Sequence, residues 1–150
     1  PEFGGRVAAE LALVGSEQAL ALEAYALNLG MAYQLVDDLL DFTATESVLG
    51  KPVASDLKEG RLTLPLIYLL EKGVAEHRQK IGAVLRDGGF TTVDRDEILD
   101  MVNRHGTLER TRLLAVSYSR KAASALDAFE PSPVRQALND LARFATLRDH

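Results

Sequence analysis

The sequence predicts an all-α fold. Three features carry that expectation. Apolar residues recur at helical spacing in one segment after another, no stretch alternates apolar and polar residues as a half-buried strand does, and the breaks between segments hold Gly, Pro, Ser or Thr. Hydrophobic residues make up 47% of the 150 and charged residues 26%, which is the balance of a globular chain able to bury a core.

The elements follow in order. Residues 6–14, "RVAAELALV", are rich in Ala and Leu and stop at Gly15. Ser16 is a good N-cap for a helix over 17–43, which holds no Pro and one internal Gly, Gly30. At about 1.5 Å per residue this helix crosses a whole small domain. Residues 44–61, "ATESVLGKPVASDLKEGR", read as irregular, and a loop of that length is commonly functional or disordered. A helix over 63–72 starts with Thr63 as N-cap and Pro65 in its first turn, where proline is tolerated. Gly73 closes it. Residues 75–87 form an amphipathic helix ending at Gly88-Gly89, and 95–105 another ending at Gly106, a C-cap position. A long helix covers 107–129, and 134–147 is the last, after Pro131 and Pro133.

Composition excludes several functions. Without Cys there is neither a disulfide framework nor a thiolate metal site. A net charge of -5 without a basic cluster argues against nucleic-acid binding. No run of 18 apolar residues predicts a membrane span, and the N-terminus lacks the pattern of a signal peptide; the expected location is cytoplasmic. The opening "PEFGGR", without Met, looks like a cut end, and the chain is expected to belong to something longer.

The candidate site is "YQLVDDLLDFT", residues 33–43. Asp37, Asp38 and Asp41 lie in an apolar run, with no Lys or Arg within four residues of any of them. On a helical wheel at about 100° per residue, with Gln34 at zero, Asp41 falls near -20°, Asp38 near +40° and Asp37 near -60°. Leu35, Val36, Leu39 and Leu40 take the rest of the wheel. Like charges one turn apart repel by about 0.2–0.5 kcal/mol per exposed pair. The negative end of the helix dipole adds about 0.3–1 kcal/mol per charge. A bound cation reverses the sign of both. Carboxylate oxygens suit a hard divalent ion, Mg²⁺ is often held by one or two carboxylates plus substrate phosphates, and the lack of Cys or a nearby His argues against zinc. The following loop carries Lys51, Asp56, Lys58 and Arg61, cations able to meet a diphosphate. Acidic pairs on helices are also common as solvated faces.

"YQLVDDLLDF" at 33–42, with "LGKPVASDLKEGRLTLPLIYLLE" at 49–71, resembles the second aspartate-rich region of the trans-prenyl diphosphate synthases, closest to the long-chain polyprenyl members. The resemblance identifies Asp37, Asp38 and Asp41 with the motif aspartates, Lys51 with the first loop lysine and Asp56 with the loop aspartate. Tyr33 stands where Phe is usual, and Arg61 where the family has a second lysine; Arg keeps the charge but not the compact ammonium. The family implies an isoprenoid synthase fold, a bundle of antiparallel helices around a deep cavity, of which residues 1–150 form the C-terminal portion. It implies Mg²⁺ at Asp37, Asp38, Asp41 and Asp56, and a diphosphate met by Gln34, Lys51, Lys58 and Arg61. The implied catalytic residues are Asp37, Asp38 and Lys51. The implied reaction ionises an allylic prenyl diphosphate and condenses the cation with isopentenyl diphosphate, typically in a homo-oligomer. The family's first aspartate-rich motif has no counterpart here, since DD recurs nowhere outside 37–38, so the chain alone is expected to be inactive. A non-catalytic partner subunit of such an enzyme is the alternative, and a terpene cyclase a weaker one, which the lysine-bearing loop and the TLPL segment oppose. His77 and His105 are expected at the surface or as caps, Tyr25, Tyr68 and Phe129 in the core, and Arg110–Arg112 on a solvated face.

Overall fold

The structure is a computed structural model describing residues 15–43 and 53–147. The helix expected over 6–14 and the candidate Lys51 lie outside the described residues. Every regular element among the described residues is helical, as the periodicity predicts. They are α1 (Ser16–Thr43), α2 (Ser55–Lys58), α3 (Leu64–Glu71), α4 (Ala75–Asp87), α5 (Arg95–Arg104), α6 (Thr107–Ala125), a 3-10 turn (Leu126–Ala128) and α7 (Pro133–Phe144).

The helix ends sit where local chemistry puts them. Gly88 and Gly106 follow α4 and α5 with φ of 61° and 63°, a left-handed conformation that glycine enters without the Cβ penalty. The Asp94 amide donates to Glu97 Oε1 at 3.3 Å, so a side chain inside the first turn of α5 reaches back to the residue before it. At α7, Ser132 Oγ accepts the Arg135 amide at 3.1 Å and Pro133 fills the first turn. Three expected elements change, the last helix ending at Phe144 rather than at 147. The stretch read as irregular over 44–61 contains α2, and the helix expected to reach 129 tightens into the 3-10 turn after Ala125.

The chain forms two compact units. Among the described residues, one comprises 15–36 together with 113–147. Its core gathers Tyr25, Ala122, Leu126 and Ala142, with Leu29, Phe129 and Leu138 packed on it. Tyr25 Oη donates to the Leu138 carbonyl at 2.9 Å, and burial pushes its phenol above the ordinary value of 10.0. Ser119 Oγ donates to the Ala142 carbonyl at 2.6 Å. Both hydroxyls thus enter the interior with a partner, as buried polar groups must.

The other unit spans Asp37–Arg112 and carries the candidate motif. Its core joins Phe42 of α1, Leu57 of α2, Leu66 and Leu69 of α3, Val84 of α4 and Ile98 and Val102 of α5. Each such side chain contributes about 1.5–3 kcal/mol on full burial. Three expectations are corrected here. His77 is buried, with Nδ1 3.3 Å from the Leu69 carbonyl and its ring edge-on to His105 at 4.6 Å; α4 turns it inward with Ile81 and Val84. Thr111 is fully buried, its hydroxyl donating to the Thr107 carbonyl at 2.9 Å, so only its arginine neighbours meet solvent. Tyr68 is half-buried rather than core, and the Arg110 guanidinium stacks on its ring at 3.5 Å.

Candidate functional site

The last turns of α1 deliver the three aspartates into different surroundings. Asp37 is exposed, Asp38 half-buried and Asp41 buried. The wheel puts them on one arc, but residues 54–56 bond to Asp41 at the far end of that arc. Ala54 N donates to the Asp41 carbonyl at 2.6 Å, Ser55 Oγ to Asp41 Oδ1 at 3.0 Å, and Asp56 N to Asp41 Oδ2 at 3.1 Å. Asp41 therefore holds the start of α2 with both carboxylate oxygens and its own carbonyl.

Asp38 does the same for α3, more lightly. Its Oδ2 accepts the Leu64 amide at 3.0 Å, across 26 residues of sequence. A helix start leaves its first amides without intrahelical partners, and a carboxylate there also meets the positive end of the dipole. Thr63 holds the N-cap position but makes no side-chain cap bond. The reason lies in the first turn. Leu64 N goes to Asp38, Pro65 has no amide, and Leu66 N and Ile67 N reach the Thr63 carbonyl at 3.0 and 3.1 Å. No donor is left for the hydroxyl, and Thr63 Oγ1 is buried without a partner.

Asp56 and Arg61 come together as an ion pair, Nη2 to Oδ1 at 2.7 Å. Arg61 also meets Glu59 Oε2 at 2.7 Å and donates its amide to the Asp56 carbonyl at 2.8 Å. The hydrogen bond to Asp56 and the charges of both acids raise the guanidinium pKa further above its ordinary value. Here the guanidinium occupies a carboxylate that the resemblance assigns to a cation. Lys58 is exposed at the end of α2, and Gln34 is exposed on α1 within the other unit.

Among the described residues no three His, Cys, Asp or Glu side chains gather closely enough to hold one ion. The donors present are hard oxygens, on an exposed Asp37 and a half-buried Asp38. They fit an ion held by one or two carboxylates and completed by phosphate oxygens and water, which is the usual manner of Mg²⁺. They do not fit a closed protein cage. The residues that organise the site, Ala54, Ser55 and the Leu64 amide, escaped the sequence reading. The one local signal was Ser55 ahead of Asp56, a helix-start pattern inside a stretch read as loop.

A family model described as polyprenyl synthetase matches residues 3–104. The chain is 39% identical over 133 residues to the octaprenyl diphosphate synthase of Escherichia coli (strain K12), covering 89% of this chain and 41% of that protein. It is 38% identical over 122 residues to the heptaprenyl diphosphate synthase component 2 of Geobacillus stearothermophilus, covering 81% and 37%. The polyprenyl synthase of Caulobacter crescentus CB15, solved in complex with calcium and isoprenyl diphosphate, superposes with a TM-score of 0.81 at 34% identity, over 91% of this chain and 42% of that one. The chain spans about two-fifths of the length of the curated relatives it matches. With a family model matched over residues 3–104 and curated relatives up to 39% identical across most of its length, the chain belongs to the polyprenyl synthetase family.

Proposed function

We propose that this chain supplies the second metal- and diphosphate-holding face of a polyprenyl diphosphate synthase. The reaction is the condensation of isopentenyl diphosphate with an allylic prenyl diphosphate. The observation that carries this reading is the exposure of Asp37 at the end of α1 while Asp38 and Asp41 bind the segments that follow. Mg²⁺, when bound, neutralises charge on the departing diphosphate, which is where the transition state needs it. Asp37 is the outermost ligand, and one oxygen of Asp38 steadies the start of α3. Asp56, Lys58 and Arg61 come from one short segment, so their placement depends on a single turn. Lys51, Lys58 and Arg61 meet the phosphate oxygens. The complex of the Caulobacter crescentus protein with calcium and isoprenyl diphosphate supports a divalent ion and a prenyl diphosphate as the ligands. The enzyme is proposed to be a cytoplasmic homo-oligomer. A second reading, a partner subunit rather than a self-sufficient catalyst, is favoured by the likeness to a protein named as a component 2.

Titration of Mg²⁺ and inorganic diphosphate together into the 150-residue chain and into Asp37→Asn tests the reading. Binding in the parent and its loss in the variant are expected. Equal affinity in both excludes Asp37 as a ligand. The chain by itself is expected to bind without elongating, because it holds one carboxylate set and the reaction uses two.

A further inference from the structure

Among the three motif aspartates only Asp41 is enclosed, at 1% exposure. Its two carboxylate oxygens accept from Ser55 Oγ and from the Asp56 amide. Its carbonyl accepts the Ala54 amide. These three bonds grip three consecutive residues. The first residue gripped has an unfavourable conformation, since Ala54 stands at φ 58° and ψ 30° with its side chain fully buried. A non-glycine residue in the left-handed region persists where its surroundings over-determine it, and here its amide is tied to the Asp41 carbonyl while its side chain joins the apolar core. The last residue gripped is Asp56, the loop carboxylate.

We propose that Asp41 is a positioning residue, which fixes where Asp56 stands by holding the 54–56 turn and does not itself ligate the metal. The proposal rests on the metal–diphosphate reading above. Burial supports it directly. Mg²⁺ sheds water reluctantly and keeps several waters in most protein sites, and a carboxylate at 1% exposure leaves no room for a hydrated ion. The division of labour also gives the motif a physical logic. Asp37 faces outward for the ion, Asp38 ties α3 to α1, and Asp41 ties α2 to α1.

Charge and grip can be separated by substitution. In Asp41→Asn the amide oxygen still accepts the Asp56 amide, and the amide nitrogen donates to Ser55 Oγ, which as a hydroxyl accepts as readily as it donates. The grip survives without the charge. Asp41→Ala removes the charge and the two side-chain bonds to Ser55 and Asp56, and keeps the backbone bond to Ala54. Asp37→Asn serves as the ligand control. Two measurements on the 150-residue chain decide. The first is hydrogen exchange of the Ala54 and Asp56 amides without metal. The second is Mn²⁺ binding in the presence of inorganic diphosphate, followed by electron paramagnetic resonance.

Asp41→Asn should bind Mn²⁺–diphosphate within about threefold of the parent, and exchange at Ala54 and Asp56 should stay near the parent rate. Asp41→Ala should speed exchange at the Asp56 amide by about tenfold or more, the loss of roughly one strong hydrogen bond, and weaken the metal. Asp37→Asn should lose the metal and leave the exchange untouched. If Asp41→Asn loses the metal as fully as Asp37→Asn while its exchange is unchanged, Asp41 is a ligand and the proposal is overturned. Unchanged exchange in Asp41→Ala overturns it as well, by showing that the turn needs no grip. A parent chain that binds no Mn²⁺–diphosphate sinks the functional reading and the role given to Asp56, whereas the exchange data still decide whether Asp41 holds the turn.

Discussion

Replacing Thr63 by Val is expected to make the protein more stable, although Thr63 sits at a helix start where Thr is ordinarily favourable. The structure gives the reason. Every amide in the first turn of α3 already has an acceptor, and proline supplies no donor at the second position. The Thr63 hydroxyl is left buried with no partner, at 7% exposure for the residue. Burying an unpaired hydroxyl costs roughly 1–3 kcal/mol on protein mutational scales. Valine has the same branched shape, so it opens no cavity, and its extra methyl adds up to about 0.8 kcal/mol of apolar burial. Discounting for relaxation around the site, Thr63→Val should gain about 1–2 kcal/mol, a rise in melting temperature of about 2–8 °C. Urea unfolding followed by circular dichroism measures it, with equal slopes in parent and variant as the control. A loss of about 1 kcal/mol or more at unchanged slope refutes the reasoning, because it requires the hydroxyl to hold a bond in the folded protein.

Two further outcomes follow from the ion pairs. In Arg61→Met the guanidinium no longer sits on Asp56, so Mn²⁺ alone should bind more tightly while diphosphate in the presence of metal binds more weakly; calorimetric titrations moving in the same direction would count against the pairing. In Lys80→Met, Glu76 and Glu97 lose the hydrogen bonds from Lys80 that hold both carboxyls below their ordinary value of 4.5. Acids depressed by folding add stability that is present above pH 4.5 and disappears as pH falls through their lower folded values. The variant's urea midpoint should therefore vary less with pH on the acid side. The raised pKa of Lys80 adds the opposite dependence, stability lost as pH climbs through its folded value above 10.5, and the variant should lose that as well. An acid limb as steep as the parent's would show that other groups govern it.

Helix periodicity was legible almost to the residue where apolar stripes and glycine stops agree, as over Ala75–Asp87 and Arg95–Arg104. It was legible because those signals are local. The four residues of α2 were not, since a single turn has no period to detect and this one is held by Asp41 from another segment. The motif aspartates stood out by the absence of neighbouring cations. A helical wheel shows direction and not burial, so it could not separate exposed Asp37 from buried Asp41. His77 was missed for the same reason. Its place among Ile81 and Val84 depends on which side of α4 faces the core, and a lone polar residue in an amphipathic helix reads as surface until its partner, here the Leu69 carbonyl, is known.

The two aspartate ties are nested. Asp41 to Ser55 closes a loop of 14 residues, and Asp38 to Leu64 closes one of 26 around it. Chain entropy makes the order of closure matter. Once the inner contact forms, the outer one has only the few residues on either side of it left to arrange, roughly a dozen links instead of 26, which lowers its closure cost by about 0.7 kcal/mol. The first tie thus lowers the closure cost of the second.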